Sequence, residues 1–493
     1  MWDPVDSLAQ LFRQLDGRFS FFACDGEHFV AATDILGAGS LYFSRSDSVF
    51  CIATHLGLLL AAQGTVAHDE AAAIRCFLMR GTSFGKTPFR GVSRVAGCHF
   101  IAGSIKRGGT PRFEIRPYGR LEDLLAMNRA DPCQQEDDRS LQDHLEQLFS
   151  ESLVREQYGK KAIVTLSGGN DSRFVALQFQ RHLDLKPLTL TAGSDMVFDG
   201  DYVKAGLVAK RLGLQNTRIG WDLSPELTKK ISLLGGGIIP LESAKWLALA
   251  QAAPDDSILG NGFLGDVLSG KMVDYSSSRT NPKLQILLPG LSCGIPITSV
   301  FQQVEEEFNQ LSQEIMRRLA ELEEFEIWQS MDLLNLQNRQ AGWVSGVNLE
   351  LTELVSECST PFFYRPLISF LLGMPRSMRS SQGLYKEWLI QHGGGDPGWI
   401  PYLTGGLRCL LWGVVKNPIR SRQYSFGLGT GAQMRARANE DWLTQMVQTY
   451  FKDDELLGQL CLKTLKRKSV RGMPATFSAL PMGIARGTLS EMP

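Results

Sequence analysis

The stretch from Lys160 to Leu183, KKAIVTLSGGNDSRFVALQFQRHL, narrows most sharply what this chain can fold into. KKAIVTLS is a short apolar run and reads as a buried strand, and DSRFVALQFQRHL reads as a helix. Between them, Gly168 and Gly169 let the backbone close around an anion while the helix offers its free N–H groups. The hydroxyls of Ser167 and Ser172 add donors, and Asp171 is a hard ligand for a magnesium ion on a polyphosphate. A loop of Ser, Gly and Asp can also be a plain helix cap. Here its place between a buried strand and a helix favours the phosphate reading.

The same alternation continues downstream. A helix is expected from Leu141 to Tyr158 before the first strand, and a strand at PLTLTAGS after the loop helix. A helix from about Tyr202 to Leu212 and the strand DSILG, Asp256 to Gly260, follow. Strands alternating with helices imply a parallel, doubly wound sheet that binds ligands at the carboxyl ends of its strands. Further on, Val304, Phe308, Leu311, Ile315, Leu319 and Leu322 recur every three or four residues, the stripe of a packing helix.

The first 120 residues read differently. RFSFFACD, HFVAATD, SLYFSRSD and SVFCIATH are short apolar runs separated by turn residues, as in a β-meander. A helix near Asp69 to Met79 and strand-like text around GVSRVAGCHFIAGS follow. The polar segment Ala130 to Ser140 reads as a linker, which sets domains at 1–130 and 141–410 and a helical extension at 411–493. The overall class is α/β.

Bulk properties exclude several roles. With 51 Lys+Arg against 52 Asp+Glu, nothing global draws the chain to nucleic acid or an anionic membrane. The nine cysteines form no C-x-x-C pair and have no histidine partners at zinc spacing, which fits a reducing cytoplasm. No apolar run approaches the roughly 18 residues of a membrane helix, and the acidic N-terminus is unlike a signal peptide. LKTLKRKSVRG, near the C-terminus, is basic but lacks interleaved aromatics and reads as a solvated face.

The S-G-G-N-D-S loop resembles the pyrophosphate loop of the ATP pyrophosphatase superfamily. Other segments, in order, are similar to asparagine synthetases: Leu15 to His55, with its G-x-F strand and D-x-x-G turn, and Phe89-Arg90-Gly91-Val92. Asp201 to Gly213, GNGFLGDVLSG from Gly260 to Gly270, and Gln340 to Pro375 with Thr360-Pro361-Phe362-Phe363 complete the series. The resemblance covers roughly 15–405. It implies an N-terminal Ntn-hydrolase-type glutamine amidotransferase domain followed by an ATP pyrophosphatase domain. It implies ATP contacts from Leu166, Ser167, Gly168, Gly169, Asp171, Ser172, Thr191 and Gly260, and Mg²⁺ held by Asp171 and Asp266. Glu357, four residues before Pro361, matches the family's E-x-x-x-P-F glutamate and is expected to orient or deprotonate an amine.

Departures from the family shape the expected activity. Position 2 is Trp2 where the glutaminase nucleophile would be cysteine, and the first strands of that domain are missing, so no glutaminase is expected. The glutamate shortly before Asp266 is absent, with Asn261 and Phe263 there instead, and no lysine lies in Ile400 to Gly406. Lys386 or Lys416 is expected to supply that charge, with Arg339 as a third source. The expected reaction is ATP-dependent activation of a small-molecule or peptide carboxylate as acyl-AMP, then capture by ammonia or a substrate amine. β-Lactam synthetases and lasso-peptide cyclases resemble asparagine synthetase in this way, and a precursor peptide or a partner enzyme would supply the reactants. Asparagine synthesis from ammonia, an RNA-modifying ATP pyrophosphatase and a nucleotide-binding pseudoenzyme remain open. Nucleic acid and membrane are not expected partners.

Overall fold

The computed structural model describes most of residues 4–392, leaving out chiefly 106–111, 126–137, 194–199 and most of 271–301, with isolated positions beyond 392. The expected linker lies mostly outside the described residues, as do Lys416, Ile400 to Gly406, LKTLKRKSVRG and nearly all of the expected extension at 411–493.

A helix over Pro4–Gln14, unforeseen in the sequence, leads into the N-terminal β region. β1 (Ser20–Cys24), β2 (His28–Thr33), β6 (His99–Ser104) and β7 (Arg112–Pro117) form an antiparallel sheet in the order β1-β2-β6-β7. β3 (Tyr42–Arg45), β4 (Phe50–Ala53) and β5 (Val92–Arg94) form a second, ordered β4-β3-β5. The two share an apolar layer because alternate strand residues point the same way: Phe29, Ala31 and Ile101 meet Leu41 and Val95. Phe50 and Phe113 meet there with ring centroids 4.4 Å apart. The Glu70–Met79 helix follows, its first turn capped by Asp69, whose side chain accepts from the Ala72 N–H.

The second region carries a five-stranded, all-parallel sheet. β8 (Lys161–Thr165), β9 (Leu188–Ala192), β10 (Asn216–Ile219), β11 (Ser257–Gly260) and β12 (Glu357–Ser359) run in the order β10-β9-β8-β11-β12. Helices at Asp138–Gln157, Asn170–His182, Gly200–Leu212 and Gln302–Glu321 fall where the apolar periodicity places them. Strand order runs outward from β8 in one direction through β9 and β10, and in the other through β11 and β12. The reversal point therefore lies between β8 and β11, where the loops diverge and leave a crevice at their carboxyl ends.

One apolar core runs through both regions, from Phe12 and Phe100 through Phe77 to Phe174 and Phe362. Behind the loop helix, the Phe174 ring lies 4.8 Å from Phe149 and 4.5 Å from Trp388. Polar contacts tie the regions as well: Ser40 Oγ donates to Glu350 Oε2 at 2.9 Å, and Arg365 Nη2 donates to the Leu15 carbonyl at 2.6 Å. Among the described residues, no helix is long and apolar enough to cross a membrane.

Candidate active site

The β8 strand ends at Thr165, and the Leu166 N–H still donates to the Leu190 carbonyl at 2.9 Å. The chain then turns through Gly168, whose φ of 74° lies in the left-handed region that glycine tolerates. A Cβ there would also sit 2.5 Å from the Lys204 Cβ, so both conformation and space demand glycine. Gly169 is the N-cap of the Asn170–His182 helix. Ser167 and Ser172 face each other across the turn with hydroxyl oxygens 3.2 Å apart, and Gly169 N–H donates to Ser167 Oγ at 3.3 Å. Buried Arg173 braces the loop from below, Nη2 donating to the Gly168 carbonyl at 3.1 Å.

The second loop follows β11. Asn261 N–H donates to the Ser359 carbonyl at 2.9 Å, and Leu264 adopts a left-handed φ of 72°. For a branched side chain that conformation costs about 1 kcal/mol or more, and such strain gathers at functional loops. It directs the chain so that Gly265 abuts the first loop: a Cβ on Gly265 would lie 2.8 Å from the Asp171 carboxyl carbon. The glycine thus permits the two acidic loops to touch. Asp266 follows at once, and both carboxylates line a cavity of ≈ 330 Å³.

Two further elements close this cavity. The Ser243–Gln251 helix contributes Lys245, Trp246 and Leu249. A run of π-helix over Asn335–Val344 and Gly346–Glu350 contributes Arg339, Val344 and Asn348. Such i→i+5 geometry is rare and concentrates at functional sites. Arg339 Nη1 stands 3.7 Å from Asp266 Oδ2, and Gln340 Nε2 donates to Asp266 Oδ1 at 3.4 Å. Burial lowers the Arg339 pKa and the Asp266 charge opposes that shift. Beneath the second loop, Arg379 and Asp332 form a fully buried ion pair at 2.8 Å, and Arg379 Nη2 also donates to the Val267 and Leu268 carbonyls. Burial pushes the Asp332 carboxyl up to about 6 against the pull of Arg379.

The cavity brings together Leu166, Ser167, Asp171, Ser172, Thr191 and Asp266 of the residues expected from sequence. Gly168 and Gly169 form the turn between Ser167 and Asp171 without themselves lining the cavity, and the Thr191 hydroxyl already donates to the Leu166 carbonyl at 2.7 Å. Three expectations need correction. Gly260 ends β11 and does not line the cavity; a Cβ there would meet the Phe179 ring at 3.0 Å. Glu357 is the first residue of β12, in register with Ile258 and at the amino end of the sheet, where its exposed side chain pairs with Lys160. Three or more residues of parallel strand separate it from the loop, at least about 10 Å. Lys386 is half-buried, donates to the Ser381 carbonyl, and does not line the cavity.

Lys245, which no sequence pattern singled out, is the lysine that does line it. Its neighbours SAKWLALA are an ordinary helical text, and only the fold reveals which face meets the crevice.

A magnesium ion fits this donor set. Asp171 and Asp266 bring two hard carboxylates to one cavity. That suits a metal that takes one or two carboxylates and completes its shell with phosphates and water. Asn261 lines the same wall, and its buried amide nitrogen has no hydrogen-bond partner among the described residues. No family model matches the chain, and no curated protein matches it at a significant level.

Proposed function

We propose that the chain is an ATP-dependent, AMP-forming ligase that activates a carboxylate as acyl-AMP and passes it to an amine, built on an ATP-pyrophosphatase-type domain. The observation that carries this reading is the convergence of Ser167, Ser172, Asp171 and Asp266 with Lys245 and Arg339 on one cavity at the β8–β11 reversal point. Such a set matches a polyphosphate: hydroxyl and helix N–H donors, two cations, and two carboxylates for a metal.

Mg²⁺ held by Asp171 and Asp266 would supply neutralisation of the polyphosphate charge. The Ser167 and Ser172 hydroxyls and the N–H groups at the helix start donate to the leaving pyrophosphate, where negative charge grows as the α–β linkage breaks. Lys245 and Arg339 oppose the same charge from the other wall. Leu190, Leu249 and Phe263 give an apolar surface suited to a base. The carboxylate oxygen attacks the α-phosphorus, pyrophosphate leaves, and the amine then attacks the acyl carbon and expels AMP. The acids lining the cavity are the two proposed metal ligands, so the amine attacks as the free base and the proton it sheds on becoming an amide passes to water or to the departing AMP. Ammonia, or an amine on a small-molecule or peptide substrate, fits this role.

The pairing of Asp266 with Arg339 and Gln340 favours a second reading, a nucleotide-binding scaffold without turnover. Incubation with MgATP, a panel of carboxylates and peptides, and ammonia separates them. AMP formation that disappears in Asp171→Ala supports the ligase. Nucleotide binding without AMP across the panel overturns it in favour of the scaffold.

A further inference from the structure

Arg80 links the N-terminal region to two of the elements that wall the cavity. Arg80 ends the Glu70–Met79 helix in a left-handed conformation, φ 60°, where its N–H caps the Cys76 and Phe77 carbonyls. Its side chain leaves the N-terminal region and meets two elements of the cavity wall. Arg80 Nη2 pairs with Glu242 Oε1 at 2.6 Å, both side chains about nine-tenths buried, and Glu242 directly precedes the helix that carries Lys245 and Trp246. The Arg80 guanidinium carbon also lies 4.3 Å from the centre of the Trp343 ring. The Arg339 guanidinium lies over the same indole at 5.0 Å, and Arg339 in turn faces Asp266. Next to Arg80, Gly81 presses on the backbone of Gly342, where a Cβ would fall 2.3 Å from the carbonyl oxygen. The spacing between Arg80 and Trp343 is therefore set by main-chain contact, not by flexible side chains.

We propose that Arg80 is a positioning residue for polyphosphate binding: through Glu242 and Trp343 it sets the Lys245 helix and Arg339, making the N-terminal region a working part of the distant site. This inference rests on the nucleotide reading of the cavity. Both guanidinium groups draw on one indole and both are desolvated, which makes each contact stronger than it would be at the surface. Removing Arg80 takes away one of the two guanidinium groups that hold the Trp343 indole beside Arg339 and loosens the start of the Lys245 helix. An interface that merely glued the two regions would affect stability alone.

The test is MgATP binding by calorimetry on the full chain. Arg80→Met keeps the stem and removes the charge and is expected to weaken MgATP about tenfold, an effect well within the range of a desolvated cation–π contact. Arg80→Lys keeps the ion pair but not the planar stacking, and is expected to fall between. In an Arg339→Met background, Arg80→Met is expected to cost clearly less than it does alone, because the Trp343 branch is already lost and only the Glu242 branch to the Lys245 helix remains. Wild-type affinity in folded Arg80→Met, or effects that multiply in the double variant, overturns the proposal while leaving the nucleotide reading intact. Absence of MgATP binding by the wild type overturns both. Should Arg80→Met fail to fold, Glu242→Gln carries the test, with a weaker MgATP affinity expected and an unchanged one fatal to the proposal.

Discussion

Arg379→Met removes the cation of a pair in which Asp332 is 1% and Arg379 2% exposed. Two losses follow. The carbonyls of Val267 and Leu268 lose their guanidinium donor, about 1 kcal/mol each, or about 2 kcal/mol at any pH. The second loss depends on pH. Asp332 titrates at about 6 in the folded protein against 3.8 as a free side chain, so its folded pKa is raised. A raised folded pKa gives a contribution fully present below the unfolded value and lost as pH rises through the folded one. In the wild type the loss stops near pH 6, when Asp332 ionises beside Arg379. Without Arg379 the folded carboxyl stays protonated to higher pH and the loss continues. The gap between wild type and variant should therefore widen by about 1.4 kcal/mol per pH unit above 6. From about 2 kcal/mol near pH 5.5 it should reach about 5 kcal/mol near pH 8, inside the range for breaking a buried ion pair. Denaturant unfolding of both proteins at several pH values measures this, with the Asp332→Asn/Arg379→Met double variant as control, where the slope should vanish. A gap that stays constant between pH 5.5 and 8 would refute the reasoning, because Asp332 would then not be the group that titrates.

The remaining predictions concern the cavity. Lys245→Gln should weaken MgATP or pyrophosphate binding by about tenfold with little change in thermal stability, whereas Lys386→Ala should leave binding unaltered; equal effects would remove Lys245 from the site. Glu357→Gln should cost no more than about 1 kcal/mol of stability, since it breaks an exposed pair with Lys160, and AMP formation should persist. Gly168→Ala imposes a left-handed conformation on alanine, costing about 1–2 kcal/mol, and drives a methyl against Lys204. Loss of MgATP binding with a lowered melting temperature is expected, and intact binding would show that the loop tolerates the added bulk.

Local pattern made much of this molecule legible. The β8 strand, the glycine turn and the following helix can be read directly because each has its own period or backbone requirement, and the loop that joins them is short. The stripe from Val304 to Leu322 likewise predicts the Gln302–Glu321 helix, since apolar spacing and burial coincide. What stayed hidden was placement. Glu357 and Lys386 carry the right chemistry at plausible positions in the chain, yet strand register sets Glu357 at the wrong end of the sheet and Lys386 bonds the Ser381 carbonyl away from the cavity. Lys245 and Trp343 matter only through contacts with residues far away in sequence, for which a helical text gives no sign. The π-helical run was equally invisible, because its residues differ little from those of an α-helix. The Arg80–Glu242 pair joins positions 162 residues apart, and no local pattern links them.

The central claim is that this cavity holds ATP for cleavage between the α and β phosphates. Phosphorus NMR of MgATP incubated with the wild type, a carboxylate panel and ammonia, beside Asp171→Asn, tests it most directly. The account predicts AMP and pyrophosphate in equal amounts from the wild type and neither from the variant. Formation of ADP and inorganic phosphate by the wild type, lost in Asp171→Asn, would place the cleavage at the other anhydride and contradict it.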